Sequence, residues 1–248
     1  MGENTKISWC DHSQNFWIGC TKISPGCANC YAKTQQEDLY HRVKWGKGEP
    51  RHITKTWKDP IKWNKKAVLA GVRAKVFTNS LADMFDEEVP DSWRHDAFAV
   101  IKACPNLDWL ILTKRVQKAK DYLGKVPGWP WPNVWLGASV ENQETHDERT
   151  AILKTIPAAI HFLSAEPLLA SIKYDLENIQ WVIVGGESGE GFRPMNPDWA
   201  LSAWAQCQAV TPKISFFVKQ GAGLINGSQM DIPDSLWNVK EWPAIKKA

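Results

Sequence analysis

Half of the six cysteines of this 248-residue chain fall close together, at Cys20, Cys27 and Cys30. Thiolates are soft ligands for zinc, copper and iron–sulfur clusters. Pro25 and Gly26 turn the backbone between the first two, so the three sulfurs can converge. Two chemistries use such a set. A structural zinc takes four protein ligands and would need a fourth, for which Cys10 is the nearest sulfur. A [4Fe-4S] cluster held by three thiolates leaves one iron open to a small molecule. Cysteines that merely pack are the third alternative, and Cys104 and Cys207 read that way. His12 and His41 lie near the cysteine loop but lack compact metal-site spacing, and His161 sits inside an apolar strand as a core residue.

A centre of that kind needs a scaffold, and the hydrophobic pattern supplies one. Short apolar runs at 75–80, 108–113, 133–139, 160–165, 181–185 and 213–218 read as strands. Helical patterns at 91–103, 116–123, 142–155 and 197–210 alternate with them. The run 16–19 is expected to be a first inner strand that delivers Cys20 at its carboxyl end, with a helix at 31–40 after the loop. Seven apolar strands separated by helices imply a parallel sheet covered by helices. A closed or partly open barrel accommodates them, as does a doubly wound sheet; periodicity alone does not choose.

In either architecture ligands sit beyond the carboxyl ends of the strands. The residues there are polar after strand upon strand: Asn79 and Ser80; Lys114 and Arg115; Ser139 and Glu141; Glu166; Gly185, Gly186, Glu187 and Ser188; Lys219 and Gln220. That recurrence predicts one common mouth. The glycine-rich stretch 185–191 can cradle a carboxylate, ribose or phosphate through backbone amides, or can simply be a tight loop. It matches neither a P-loop nor a dinucleotide fingerprint. Glu141, Glu166 and Glu187 can accept from ribose hydroxyls or an amine; ion pairs with Arg115, Arg193 or Lys219 are the structural alternative.

A hydrophobic content of 44% supports one substantial core. No apolar run of membrane-spanning length and no signal-peptide pattern is present, so a cytoplasmic protein without a membrane partner is expected. The net charge is only +3, yet residues 41–75 hold eleven Lys or Arg against two acids, +9, which leaves −6 for the remainder. Lys55, Lys58, Lys62, Lys65 and Lys66 with Trp45, Trp57 and Trp63 form the combination that holds nucleic acid, cations on phosphates and indoles on bases. Otherwise the tryptophans anchor a surface segment that the lysines keep soluble. The expected organisation is one domain over 1–220 with an elaboration at about 41–75, and an extension over 221–248 that wraps its outside.

Residues 19–32, joined with 77–83, 112–115, 164–168 and 184–189, resemble a three-cysteine-motif family of phages and bacterial genomes, related to the radical S-adenosylmethionine enzymes. The resemblance covers roughly residues 5–220. It implies an α/β fold, a partial or modified TIM-type (β/α) barrel of parallel strands. It also implies that Cys20, Cys27 and Cys30 hold a [4Fe-4S] cluster, whose open iron takes S-adenosyl-L-methionine for reductive cleavage to methionine and a 5′-deoxyadenosyl radical, with an external electron donor. Asn79, Ser80, Ser139, Glu166, Glu187 and the 185–188 turn then become contacts to methionine or nucleoside. Two features depart from the superfamily. The first cysteine gap is longer, six residues and then two, and Asn29 rather than an aromatic residue precedes Cys30, while Tyr31 follows it. Tyr31 and Cys207 come into question as radical quenchers only if they lie in the mouth. The implied function is modification or rearrangement of a nucleobase substituent, an isomerase or base-modifying activity on DNA or a nucleotide, such as hypermodified thymidine in phage DNA, in the host cytoplasm. The alternatives are a zinc-containing nucleic-acid-binding module and a radical enzyme acting on a protein or peptide.

Overall fold

The structure, a computed structural model, describes residues 2–244. In chain order the elements are β1 (His12–Gln14), β2 (Trp17–Ile18), α1 (Tyr31–Lys33, continued by a π-helix over Thr34–Leu39), β3 (His52–Ile53), α2 (Asp59–Ala70), β4 (Ala74–Thr78) and α3 (Asp91–Ala103). They continue as β5 (Leu107–Thr113), α4 (Val116–Leu123), β6 (Val134–Ser139), α5 (Gln143–Leu153), β7 (Ile160–Ala165), β8 (Trp181–Gly185), α6 (Pro197–Ala209), β9 (Ser215–Gln220) and α7 (Asp234–Trp237). Seven strands form one sheet in the order β1-β4-β5-β6-β7-β8-β9, and every neighbouring pair is parallel. Spatial order follows chain order without reversal, so the sheet lacks the switch point of a doubly wound fold. It is a curled half-barrel with β1 and β9 at its edges, an α/β partial TIM-type fold.

The first strand is not the one the apolar pattern selects. Residues 17–18 pair antiparallel with His52–Ile53 in a separate two-stranded ribbon, and the polar His12–Gln14 joins β4 instead. Cys20 is therefore delivered by the ribbon, not by a barrel strand. The basic stretch also changes character. It contains α2, the regular crossover helix from β1 to β4, with Pro60 in its first turn, where a missing N–H costs nothing.

Alternate strand residues face two cores. Leu110, Trp135, Phe162, Trp181, Ile183 and Phe217 point inward and pack with Trp9 and Phe77. Trp109, Ile111, Leu136, Leu163, Val182 and Val184 face the helices. The inner core depends on a notch. A Cβ on Gly137 would lie 2.4 Å from the Phe162 ring. Gly137→Ala is accordingly expected to overpack the lumen and destabilise the fold by about 1–3 kcal/mol. Thermal unfolding checks this, and adding Phe162→Leu should restore part of the loss.

The tail covers the β9 edge, as an exposed edge requires. Val218 N–H donates to Val239 O at 3.0 Å, Glu241 N–H to Phe216 O at 3.0 Å, and the Trp242 indole N–H to Trp9 O at 3.0 Å. Among the described residues no helix is long and apolar enough to cross a membrane.

A candidate cofactor site at the strand ends

A cavity of about 210 Å³ opens at the carboxyl ends of the strands. It brings together Cys20, Cys27 and Cys30 with Asn79, Ser80, Ser139, Glu166, Gly186, Glu187 and Ser188. Gly185 lies beneath it, where a Cβ would meet Glu166 Cγ at 3.3 Å. Trp9, Phe77 and Leu112 also line the cavity, as its link to the inner core. A larger cavity, about 750 Å³, lies between α3 and α4 and contains none of these groups.

Two carboxylates hold the cysteine loop. Glu141 is fully buried at the start of α5, where its backbone N–H and that of Asn142 donate to Thr145 Oγ1 (2.9 and 3.2 Å) and Asn142 Oδ1 accepts from Thr145 N–H at 3.0 Å. This reciprocal cap fixes the approach to the helix. The Glu141 side chain accepts from Ser24 Oγ–H (2.7 Å) and Gly26 N–H (3.0 Å), and pairs with Lys114 and with Arg149 at 3.3 Å. The fit is close: a Cβ on Gly26 would stand 2.5 Å from Glu141 Cδ. Glu187 holds the other end, accepting from Asn29 Nδ2 (3.0 Å), Arg193 N–H (2.8 Å) and Arg193 Nε (3.0 Å), while Arg193 Nη2 donates to Pro25 O at 2.9 Å. Burial pushes both carboxyl pKa values up, but Lys114 and Ser24 on Glu141, and Arg193 and Asn29 on Glu187, outweigh it and hold both below the ordinary value.

The sulfurs sit in different fields. Arg115 Nη1 lies 3.5 Å from Cys20 Sγ and 3.2 Å from Asp83 Oδ2, and Arg115 Nη2 donates to Thr21 O at 2.8 Å. Arg51 pairs with Asp86 at 2.8 Å and donates to Thr21 Oγ1 at 2.7 Å. Burial pushes the Cys20 thiol up to about 12 against the pull of Arg115. At Cys27 burial acts in the same sense but loses to the charge of Lys114 and hydrogen bonds from Ile23 and Ser24, so its thiol lies below the ordinary value.

Residues 4–235 match the family described as "Protein of unknown function (DUF5131)". The chain belongs to that family. No curated protein matches it. Among solved structures, a double-mutant spore photoproduct lyase with bound AdoMet and dinucleoside spore photoproduct is similar at a TM-score of 0.52 and 11% identity, over 85% of this chain. The likeness is one of fold, and the chain spans 64% of that protein's length.

The remaining groups of this DUF5131 member are placed as follows. Glu166 pairs with Lys219 and accepts from Ser164 Oγ–H at 3.0 Å; Ser139 Oγ–H donates to Glu166 O at 3.3 Å. Asn79, at φ 58°, accepts from Phe16 N–H at 2.9 Å and so ties the ribbon to the β4 end. Tyr31 lies in the cavity and donates to Ser80 O at 2.5 Å, whereas Cys207 is buried in the outer core. Cys10 packs in the inner core with its thiol toward Ile7 O. His161 is satisfied by Ile156 O at 2.7 Å and Asn178 O at 3.2 Å.

The five lysines of the basic stretch stand apart from the cavity. Lys55, Lys58, Lys62, Lys65 and Lys66 are exposed on or just before α2, none lines the cavity, and Lys62 and Lys66 pair with Asp59 and Glu3. Trp63, 3% exposed, packs its ring against His12 with centroids 4.7 Å apart, and Trp57 donates its indole N–H to Phe16 O at 3.0 Å. These two indoles are therefore anchors rather than exposed base-stacking surfaces; Trp45 alone of the three lines the cavity. Sequence reasoning missed Arg149 and the Arg51–Asp86 pair. The first had a usable signal, since Asn142 and Thr145 mark a helix start that places Arg149 two turns beyond Glu141.

Proposed function

We propose that this chain is a radical S-adenosylmethionine enzyme that modifies or rearranges a substituent on a nucleobase. The observation that carries the reading is the common cavity of Cys20, Cys27 and Cys30 with polar side chains from successive strand ends, on a half-barrel. The donor set suits a [4Fe-4S] cluster. A single zinc ion draws every ligand to about 2.3 Å of one point, whereas a cube takes each thiolate on a different iron.

When bound, such a cluster with S-adenosylmethionine supplies one-electron chemistry able to take a hydrogen atom from an unactivated carbon. The chain's own residues do the rest. Cys20, Cys27 and Cys30 would hold the cluster, and Arg115 beside Cys20 would offset its negative charge. Glu141 and Glu187 keep the loop in one geometry. Asn79, Ser80, Ser139, Glu166 and the 185–188 backbone are offered to the methionine and nucleoside groups, and the apolar side of the cavity excludes water. The spore photoproduct lyase of similar fold, whose structure holds AdoMet and a dinucleoside photoproduct, is in keeping with a nucleobase-bearing substrate, DNA or nucleotide; thymidine hypermodification in phage DNA is the specific case we propose from the sequence resemblance. An external donor would supply the electron, in a compartment that keeps thiols reduced.

The test is anaerobic iron and sulfide quantitation with electron paramagnetic resonance, with and without S-adenosylmethionine. One cube per chain and a ligand-dependent spectral change are expected, and both should vanish in Cys20→Ala, Cys27→Ala and Cys30→Ala. Stoichiometric zinc with no spectral response would sink the reading.

A further inference from the structure

The amino-terminal part of the basic stretch lies against the cysteine loop. Residues 40–48 contain Arg42, Lys44 and Lys47 and no Asp or Glu, and Lys22 adds a fourth cation from the loop. The segment is pinned there by its backbone: Gly46 N–H donates to Cys20 O at 3.1 Å, Trp45 N–H to Glu37 Oε2 at 3.1 Å, and Arg51 Nη1 to Gly46 O at 3.0 Å. Val43 and Trp45 pack with Cys30, Ile18, Ala32 and Leu81. Lys22 and Trp45 line the cavity, while Arg42, Lys44 and Lys47 are exposed.

Of the acids around the segment, three are engaged, and Glu49, whose Cγ would lie 3.9 Å from a Cβ on Gly46, stands against three cations. Lys33 takes Glu37 at 3.4 Å and Asp38 at 2.7 Å, and Glu88 accepts from Gly48 N–H at 3.1 Å. Among the described residues no ion pair involves Lys22, Arg42, Lys44 or Lys47. The Arg42 guanidinium stands 4.7 Å over the ring of Tyr40, which is 46% exposed. Lys22 Nζ donates to Ala28 O at 2.8 Å and keeps its charge without a carboxylate partner. An exposed ring with a guanidinium on it, flanked by cations outside any ion pair, combines the stacking surface and backbone contacts that hold single-stranded nucleic acid.

We infer that the rim formed by Lys22, Tyr40, Arg42, Lys44 and Lys47 grips the sugar–phosphate backbone of a single-stranded or locally opened nucleic acid and presents one base to the adjoining cavity. This rests on the reading of the cavity as a nucleobase-modifying site, and it moves the polymer contact from the five lysines around α2 to the mouth itself. A base must leave its stack to reach such a cavity, and a grip beside the opening holds the flanking backbone while it does so.

The experiment measures binding of a fluorescent single-stranded oligonucleotide across a salt series, by anisotropy, for wild type, the rim triple R42Q/K44Q/K47Q and the quintuple K55Q/K58Q/K62Q/K65Q/K66Q. Thermal unfolding confirms that each variant is folded. The rim triple is expected to lower the slope of log K against log salt by about 2, as three lost phosphate contacts require, and to weaken binding more than tenfold at low salt. Tyr40→Leu should weaken it about tenfold with the slope unchanged. The quintuple should leave both quantities within twofold of wild type. Loss confined to the quintuple, or equal loss in both sets, overturns the inference. Wild type that carries the cluster and responds to S-adenosylmethionine, yet binds no oligonucleotide at low salt, overturns it while leaving the radical reading intact. A rim triple with full oligonucleotide affinity but slowed reduction by an acidic electron-donor protein assigns the rim to that protein and also overturns it.

Discussion

Glu141→Ala should cost about 3–5 kcal/mol of stability, because it leaves Arg149 and Lys114 facing a buried void without their counter-charge. The same change removes the acceptor of Ser24 and Gly26, so the turn carrying Cys27 loses its attachment to α5. Denaturant unfolding gives the first effect, and iron retained after anaerobic reconstitution gives the second. Glu141→Gln should fall between, since an amide oxygen still accepts from the loop while the charge is gone. The sign with pH follows from the depressed carboxyl pKa values of Glu141 and Glu187. Their contribution is complete above the unfolded carboxyl value and is lost as pH falls through the lower folded one, so the loop should loosen on the acid side alone. A Glu141→Ala protein that unfolds at the wild-type midpoint would show that α5 does not hold the loop.

The second large effect is expected at Trp181. Its ring meets Trp135 and Trp9 edge-on, with centroids at 5.9 and 6.1 Å, lies 5.6 Å from Phe162 and 6.3 Å from Phe217, and its N–H donates to Glu241 O at 2.9 Å. Truncation to alanine opens a cavity that these rings cannot all collapse to fill, a loss of about 3–5 kcal/mol. Trp181→Phe should cost much less and act mainly through the bond to the tail. A midpoint shift for Trp181→Ala no larger than for Trp181→Phe would mean that ring packing in the lumen contributes little.

The strands β5 to β8 and the helices α3 and α4 are legible in the sequence because the strands are short, mainly apolar runs and helical periodicity resumes between them. β1 is not. His12-Ser-Gln14 is polar and three residues long, and its burial comes from backbone pairing with β4 and from the packing of His12 against Trp63, neither of which leaves a local pattern. The neighbouring Trp17 and Ile18 carry the apolar signal but spend it in a ribbon with β3. Half-barrel and doubly wound sheet use the same strands, so only their spatial order separates them.

The polar mouth is legible for a simple reason: the period of each strand fixes where its last residues point. What each carboxylate holds is not legible. Glu141 and Glu187 accept from Ser24, Gly26 and Asn29, more than a hundred residues away, and such partners are chosen by the folded path of the loop. The tryptophans mislead for a related reason. An indole beside lysines has the same composition whether it faces a base or, as at Trp57 and Trp63, the body of its own protein.

The rings that fill the half-barrel also impose an order of events. Trp135, Phe162, Trp181 and Phe217 fill the lumen below the cavity, so a molecule seated on the sulfurs would rest on packed rings and face the mouth. On the proposed reading a polymer held at the rim would cover that molecule, so that loading would precede docking and renewal would await release.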